Sequence, residues 1–191
     1  MYTFTLFLSL WARILFPFLF PAPVAEERAT RAPAVEKITV NSVNWSTSRR
    51  LTWEDFRGHP DEANPHHALT AANLAVNATC KEKGFFYEVS CVFLPTESWT
   101  KNTKSQKLLE HEQLHFDLTE VHARLLRKEL QQLNCSNLKA KLNPTVNSAF
   151  ARWKAEQNAF DTASKHGLNA EEQGAWAASI SQHLQALELY R

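Results

Sequence analysis

The chain has 191 residues, 44% of them hydrophobic and 21% charged, with 21 Lys and Arg set against 20 Asp and Glu for a formal charge of +1. That balance excludes a disordered polyelectrolyte and offers no basic platform for nucleic acid. A chain of this length buries roughly 70% of its unfolded surface, enough for a core without staples, and three cysteines are too few for a disulfide scaffold.

Residues 1–25 read as a signal peptide, with a retained membrane anchor over residues 1–24 as the alternative. The run is apolar without helical or strand period, and small residues near Ala22 and Ala25 suit cleavage. Arg13 interrupts it, and Pro17, Pro21 and Pro23 argue against a straight span. The expected location is therefore exported, periplasmic or secreted, with membrane contact only through this segment if it stays uncut. Residues 26–35 read as a linker and residues 36–191 as a single domain.

Within that domain residues 36–44 alternate as a strand should. Residues 69–80 and 85–94 are β-rich runs joined by Lys81-Glu82-Lys83-Gly84, an antiparallel hairpin signal. A turn there pairs Cys80 with Phe85, so a Cys80–Cys91 disulfide is not expected, and a monomer keeps at least one free thiol. From Lys104 to Leu133 the period becomes helical, with Leu108, Leu114, Leu118, Val121, Leu125 and Leu126 at three- and four-residue steps. Asn143-Pro144 signals the start of a second helix that Gly167 stops. Asn169 with Glu172 opens a third, reaching about Leu189. Strands first and helices after define an α+β fold, an N-terminal antiparallel sheet packed on a long helix followed by two more.

The chemistry sits on the first long helix, in His111-Glu112-Gln113-Leu114-His115. Histidines four residues apart differ by about 40° around a helix, so both imidazoles reach one metal ion. Glu112 projects about 100° from His111, beside the metal, where a carboxylate can take a proton from water. Zn2+ suits two imidazoles plus an open position. A shuffled chain of this composition contains the motif in roughly 3 of 100 cases. Here, however, both histidines share the apolar face of the helix, where imidazoles need partners or a ligand.

A third donor is required. His122 lies roughly 10 Å beyond His115 along the helix, too far for bonds near 2.1 Å. His166, just before the Gly167 stop, is taken as the third ligand, with Asp161 as the alternative ligand or as a carboxylate orienting a ligating histidine. His66 and His67 read as surface residues, because neighbours on a strand face opposite ways. Trp53, Phe56, Trp99, Trp153 and Trp176 read as core aromatics, and Glu54 with Asp55 as carboxylates that face apart.

Several segments together resemble an uncharacterised bacterial family of predicted secreted zinc-dependent proteases of the zincin-like, H-E-x-x-H class. They are residues 51–60 (LTWEDFRGHP), Ser98-Trp99, residues 109–117 (LEHEQLHFD), residues 161–167 and Gln173-x-x-Trp176. The resemblance implies a zincin-type catalytic helix, export and metalloprotease chemistry. Two positions depart from the pattern: Phe160 stands where a tyrosine is expected and Ser164 where a threonine is. The first removes a hydroxyl that would assist a transition state.

The function expected is hydrolysis of peptide bonds in a peptide or protein substrate, with Glu112 as general base. The strand over residues 85–94 is the expected edge for the substrate. The alternative is a non-catalytic, zinc-stabilised binding or cell-envelope protein, which would have no need of Glu112.

Overall fold

The computed structural model describes residues 42–191. The chain divides into two units, Met1–Lys37 and Ile38–Arg191. The expectations for the leader, the linker and the strand before residue 42 lie outside the described residues.

The hairpin forms as its alternation predicts. Strands β3 (Ala72–Lys81) and β4 (Gly84–Phe93) pair antiparallel in the register Cys80↔Phe85 and Lys81↔Gly84. Short β1 (Val43–Asn44) joins the far side of β4 at Phe93 and Val92. The order β1-β4-β3 makes β4 the middle strand. A second sheet pairs β2 (Ala68–Leu69) with β5 (Trp99–Thr100). Between β1 and β2 a 3-10 turn, Trp53–Asp55, is closed by Asp55, whose carboxylate accepts from Thr52 N at 2.9 Å and from Arg49 at 2.6 Å. Glu54 and Asp55 therefore do separate work, as their adjacency suggests.

Three helices follow: α1 (Gln106–Leu130), α2 (Leu138–Ser164) and α3 (Ala170–Ala186), with a last 3-10 turn over Glu188–Tyr190. Ser105 caps α1 by accepting from Leu108 N, and Asn169 caps α3 by accepting from Glu172 N. The start of α2 differs from the sequence reading. It begins at Leu138, with Pro144 inside the helix. A turn in which Asn134 and Asn137 exchange side-chain hydrogen bonds starts it upstream of the proline signal. Cys135 in that turn is bonded to Cys80 at the hairpin tip, which leaves Cys91 free and buried. Among the described residues no helix is long and apolar enough to cross a membrane.

The core has two parts that meet on α1. Leu74, Val89, Cys91 and Phe93 of the sheet pack against Phe116, Ala123, Leu126 and Leu130. On the other side Leu114, Leu118 and Val121 pack against Phe160 of α2 and Ile180 of α3. Burying each such large side chain contributes about 1.5–3 kcal/mol. Wrapped on both sides, α1 buries not only its leucine stripe but also Glu112, Gln113, Asp117, Thr119, Glu120, His122 and Arg124. An amphipathic surface helix would leave such residues in water; here they need partners.

Candidate metal centre

The antiparallel packing of α1 on α2 assembles the site. His111 and His115, one turn apart on α1, present their Nε2 atoms 3.1 Å from each other. Asp161, in the last turn of α2, brings Oδ1 to 3.2 Å from His111 Nε2 and 3.0 Å from His115 Nε2. Phe160 stacks on the His111 ring at 4.7 Å and meets His115 edge-on at 4.9 Å, holding both imidazoles in place.

His166 stands differently. Lys165, His166 and Gly167 all adopt left-handed backbone, with φ of 50°, 52° and 82°. That turn carries His166 round to bring its Nδ1 to 3.2 Å from Asp161 Oδ1. It remains half exposed, and its ring lies 4.5 Å from that of His66. The compact donor set, with all atoms within 4.8 Å of one another, is His111, His115 and Asp161. The alternative third ligand of the sequence reading thus sits among the donors, and the preferred one sits outside them. Gly167 is confined: a Cβ there would come within 3.3 Å of His111 Cβ and Cγ and of Gln173 Oε1.

The donor chemistry tests whether a cation fits. Gln157 Nε2 donates to the His115 carbonyl and to Thr119 Oγ1, each at 3.0 Å, which fixes the amide so that Oε1 faces His115 Nδ1 at 2.5 Å. Nδ1 must therefore carry the proton, and a neutral His115 turns a bare Nε2 lone pair toward Asp161 and His111. The three atoms, 3.0–3.2 Å apart, come close to the edges of about 3.4 Å that a tetrahedral ion with bonds near 2.1 Å requires. Without a cation the conflict is relieved by protonation. Burial opposes the charge on His115, but Asp161 and Glu112 outweigh it and raise its pKa above 6.5. Burial likewise opposes the charge on Asp161, yet the two imidazoles hold its carboxyl far below its ordinary value.

Two further polar atoms are left buried without partners beside His111, its own Nδ1 and Gln173 Oε1. One can donate and the other accepts, and both border the spot that Gly167 leaves open. The sequence reading missed Gln157, although it lies one turn before Asp161 on the same face of α2.

Glu112 is buried beside the donors, and Thr70 Oγ1 donates to its carbonyl at 3.3 Å. With His111, His115 and Asp161 it lines a cavity of about 690 Å³. α1 forms the floor of this groove, α2 one wall, and the segment from Pro65 to Ala72 the other. No residue of β4 lines the cavity, so β4 is not the strand beside the donors; β2 borders it through Ala68 and Leu69, and β3 through its first residue, Ala72. His67 is exposed, as a surface residue should be, and His66 is half-buried. They sit in the bend before β2, where strand alternation does not apply, and both line the groove.

The register of β2 determines what its free side offers. Lys101 N donates to His67 O at 2.8 Å, which makes Ala68↔Thr100 the non-hydrogen-bonded pair. The N–H and C=O of Ala68 consequently point away from β5, and Ala68 is among the residues that line the groove.

His122, buried a further two turns along α1, is paired with Glu156 of α2 at 2.8 Å and is separate from the donor set. Trp53 and Phe56 pack in the sheet core and Trp176 against Phe160, as core aromatics should, while Trp153 borders the groove.

The fold and site define a mixed α+β bacterial protein in which a His-His-Asp donor group and a buried glutamate share one groove. The chain belongs to DUF922, a bacterial protein family of unknown function, whose profile matches residues 38–167. No curated protein and no solved structure matches it.

Proposed function

We propose that the protein is an exported zinc-dependent peptidase of zincin-like type, with His111, His115 and Asp161 as ligands and Glu112 as general base. The observation that carries this reading is the convergence of His111 Nε2, a bare His115 Nε2 and Asp161 Oδ1 within 4.8 Å of one another, beside a buried carboxylate in an open groove. When bound, zinc supplies Lewis acidity toward a carbonyl oxygen and toward water.

The chain's own groups do the rest. Gln157 holds the tautomer and orientation of His115. The Ala68 N–H and C=O accept an extended peptide as an added strand and align it over Glu112. The Glu112 carboxylate takes the proton of the attacking water and delivers it to the nitrogen of the leaving amine. Phe160 has no hydroxyl, so no tyrosine assists from that position. Export is supported by the apolar first 24 residues and by the Cys80–Cys135 disulfide, a bond that persists in oxidising compartments.

The alternative, a zinc-stabilised protein without turnover, is favoured by one contact. His166 Nδ1 lies 3.2 Å from Asp161 Oδ1, and as a fourth ligand it would close the coordination shell. Metal content and turnover separate the two. The peptidase reading expects one zinc per chain, lost in Asp161→Ala and kept in His166→Ala, and peptide cleavage that falls about 10²–10⁴-fold in Glu112→Gln with zinc retained. Zinc lost in His166→Ala, with no peptide cleaved by the wild type, selects the structural reading. A folded wild type that takes up no zinc sinks both.

A further inference from the structure

The groove is charged unlike the chain as a whole. Lysines and arginines are nearly balanced by carboxylates over the full sequence. Around the groove the lining carboxylates are Glu112 and Asp161, both already engaged if the peptidase reading, on which this inference rests, is correct. Lys154 and Lys165 also line it, and among the described residues neither has a carboxylate within ion-pair distance. With a divalent ion held by the donor group, the lining is net positive, and a concave site focuses that field.

The two lysines lie at opposite ends. Lys107 Nζ donates to Leu168 O at 3.2 Å, Asp161 meets His111 and His115, and Trp153 Nε1 donates to Thr119 Oγ1 at 3.1 Å. These contacts run α1 and α2 antiparallel, so that from the N-terminal end of α1 the groove passes Lys165, then the donors, then Lys154. The opposite wall runs in the same sense as α1. Its His66 ring lies tilted against that of His166 at the first end, and its Thr70 reaches the Glu112 carbonyl at the middle. A peptide added antiparallel to β2 at Ala68 therefore runs the other way. Its N-terminal half lies toward Lys154 and its C-terminal half toward Lys165.

We propose that the groove selects acidic peptides, with a carboxylate side chain before the scissile bond facing Lys154 and another after it facing Lys165. The test separates binding from turnover. Zinc-loaded Glu112→Gln protein is titrated, by fluorescence anisotropy, with ten-residue peptides that differ only in carrying Glu, Gln or Lys on either side of the centre. The acidic peptide should bind at least about tenfold tighter than the neutral one, and the advantage should shrink as salt shortens the Debye length from about 10 to 3 Å. Adding Lys154→Glu should reverse the preference only in the N-terminal half, and Lys165→Glu only in the C-terminal half. Lys139→Glu, the same charge change at the far end of α2, should leave both preferences as they were.

Equal binding of the three peptides overturns the inference, and so does a Lys139→Glu effect as large as that of Lys154→Glu. Wild-type cleavage is then measured on the same peptides. Acidic peptides that bind tightly but stay intact uphold the selectivity and remove the hydrolase reading. Cleavage with no charge preference keeps the hydrolase and removes the selectivity.

Discussion

On the side of α1 that faces α3, buried charges are paired with opposite charges; on the side that faces the groove, a bare imidazole nitrogen meets a carboxylate oxygen. Arg124 is fully buried on the first side. Its Nε donates to Glu120 at 2.9 Å and its Nη1 to Leu184 O and Glu188, while its Cζ lies 5.3 Å from the Trp45 ring centre. Asp117 accepts from Trp45, Gln113 and Arg50. On the groove side His115 Nε2 and Asp161 Oδ1 converge as two acceptors, with His111 Nε2 3.1–3.2 Å from both. Burial of charge alone does not mark a functional site, because the Arg124 side is as polar and as buried. What distinguishes the groove is an unmet requirement for positive charge.

The largest effect expected breaks the ion-paired side. Arg124→Leu leaves Glu120 buried with its closest counterion gone and should cost about 3–5 kcal/mol in urea unfolding. Zinc affinity should stay within about threefold. Adding Glu120→Leu should recover part of the loss, since the buried carboxylate goes with Arg124, while Arg127, its second counterion at 3.0 Å, keeps its bonds to the Val89 and Tyr190 carbonyls. If the double variant is no better than the single one, the buried charges are not paired as described.

The groove side should respond to an external ion instead. Zinc at 100 times its dissociation constant should stabilise the wild type by about 2.7 kcal/mol, read by thermal unfolding with and without chelator. Asp161→Ala should lose that gain. A smaller effect sharpens the role of the brace. Gln157→Ala should weaken zinc binding by about 10–100-fold, measured by competition with a chromogenic chelator. An unchanged affinity would mean that His115 needs no help to hold its tautomer.

The smallest effect is a pH dependence confined to the groove and to the metal-free protein. Asp161 titrates below its ordinary 3.8 in the folded state, so it adds stability above that pH, which is lost as pH falls toward the lowered value. His115 titrates above 6.5, so its contribution is complete below that pH and lost as pH rises through the raised value. The two contributions overlap between pH 3.8 and 6.5. Zinc competes with the His115 proton, so its affinity should climb with pH over the range in which the metal-free protein loses this stability. Denaturant midpoints that do not move with pH would remove the account of His115.

What the sequence makes legible follows the range of the interaction. The spacing of His111, Glu112 and His115 is a property of one helix, and the hairpin register, Cys80 opposite Phe85, of one turn. Both stand in the structure as read. The third donor comes from a residue 46 positions after His115, and its choice between Asp161 and His166 depends on how α2 unwinds. Three consecutive left-handed residues decide that, and of these only Gly167 announces itself. The substrate wall was assigned to β4 because β4 precedes α1 in the chain. Strand order is not local, and the segment that lines the groove opposite α2 is the one before β3. The Cys80–Cys135 bond was equally out of reach, since it requires the end of α1 to return to the hairpin tip.

That bond has a consequence for how the site is tied together. It closes a covalent ring across a sequence separation of 55, and the ring contains β4, β5 and all of α1. Restricting the unfolded chain in this way is worth about 4 kcal/mol in the loop-entropy description. His111, Glu112 and His115 lie inside the ring, whereas Asp161 lies outside it. An ion shared by the two histidines and Asp161 would thus act as a second clasp, fastening α2 to the ring. The molecule would then carry two fasteners of different chemistry, one opened by reductant and the other by chelator. A chain folded in a reducing environment would keep the second while losing the first.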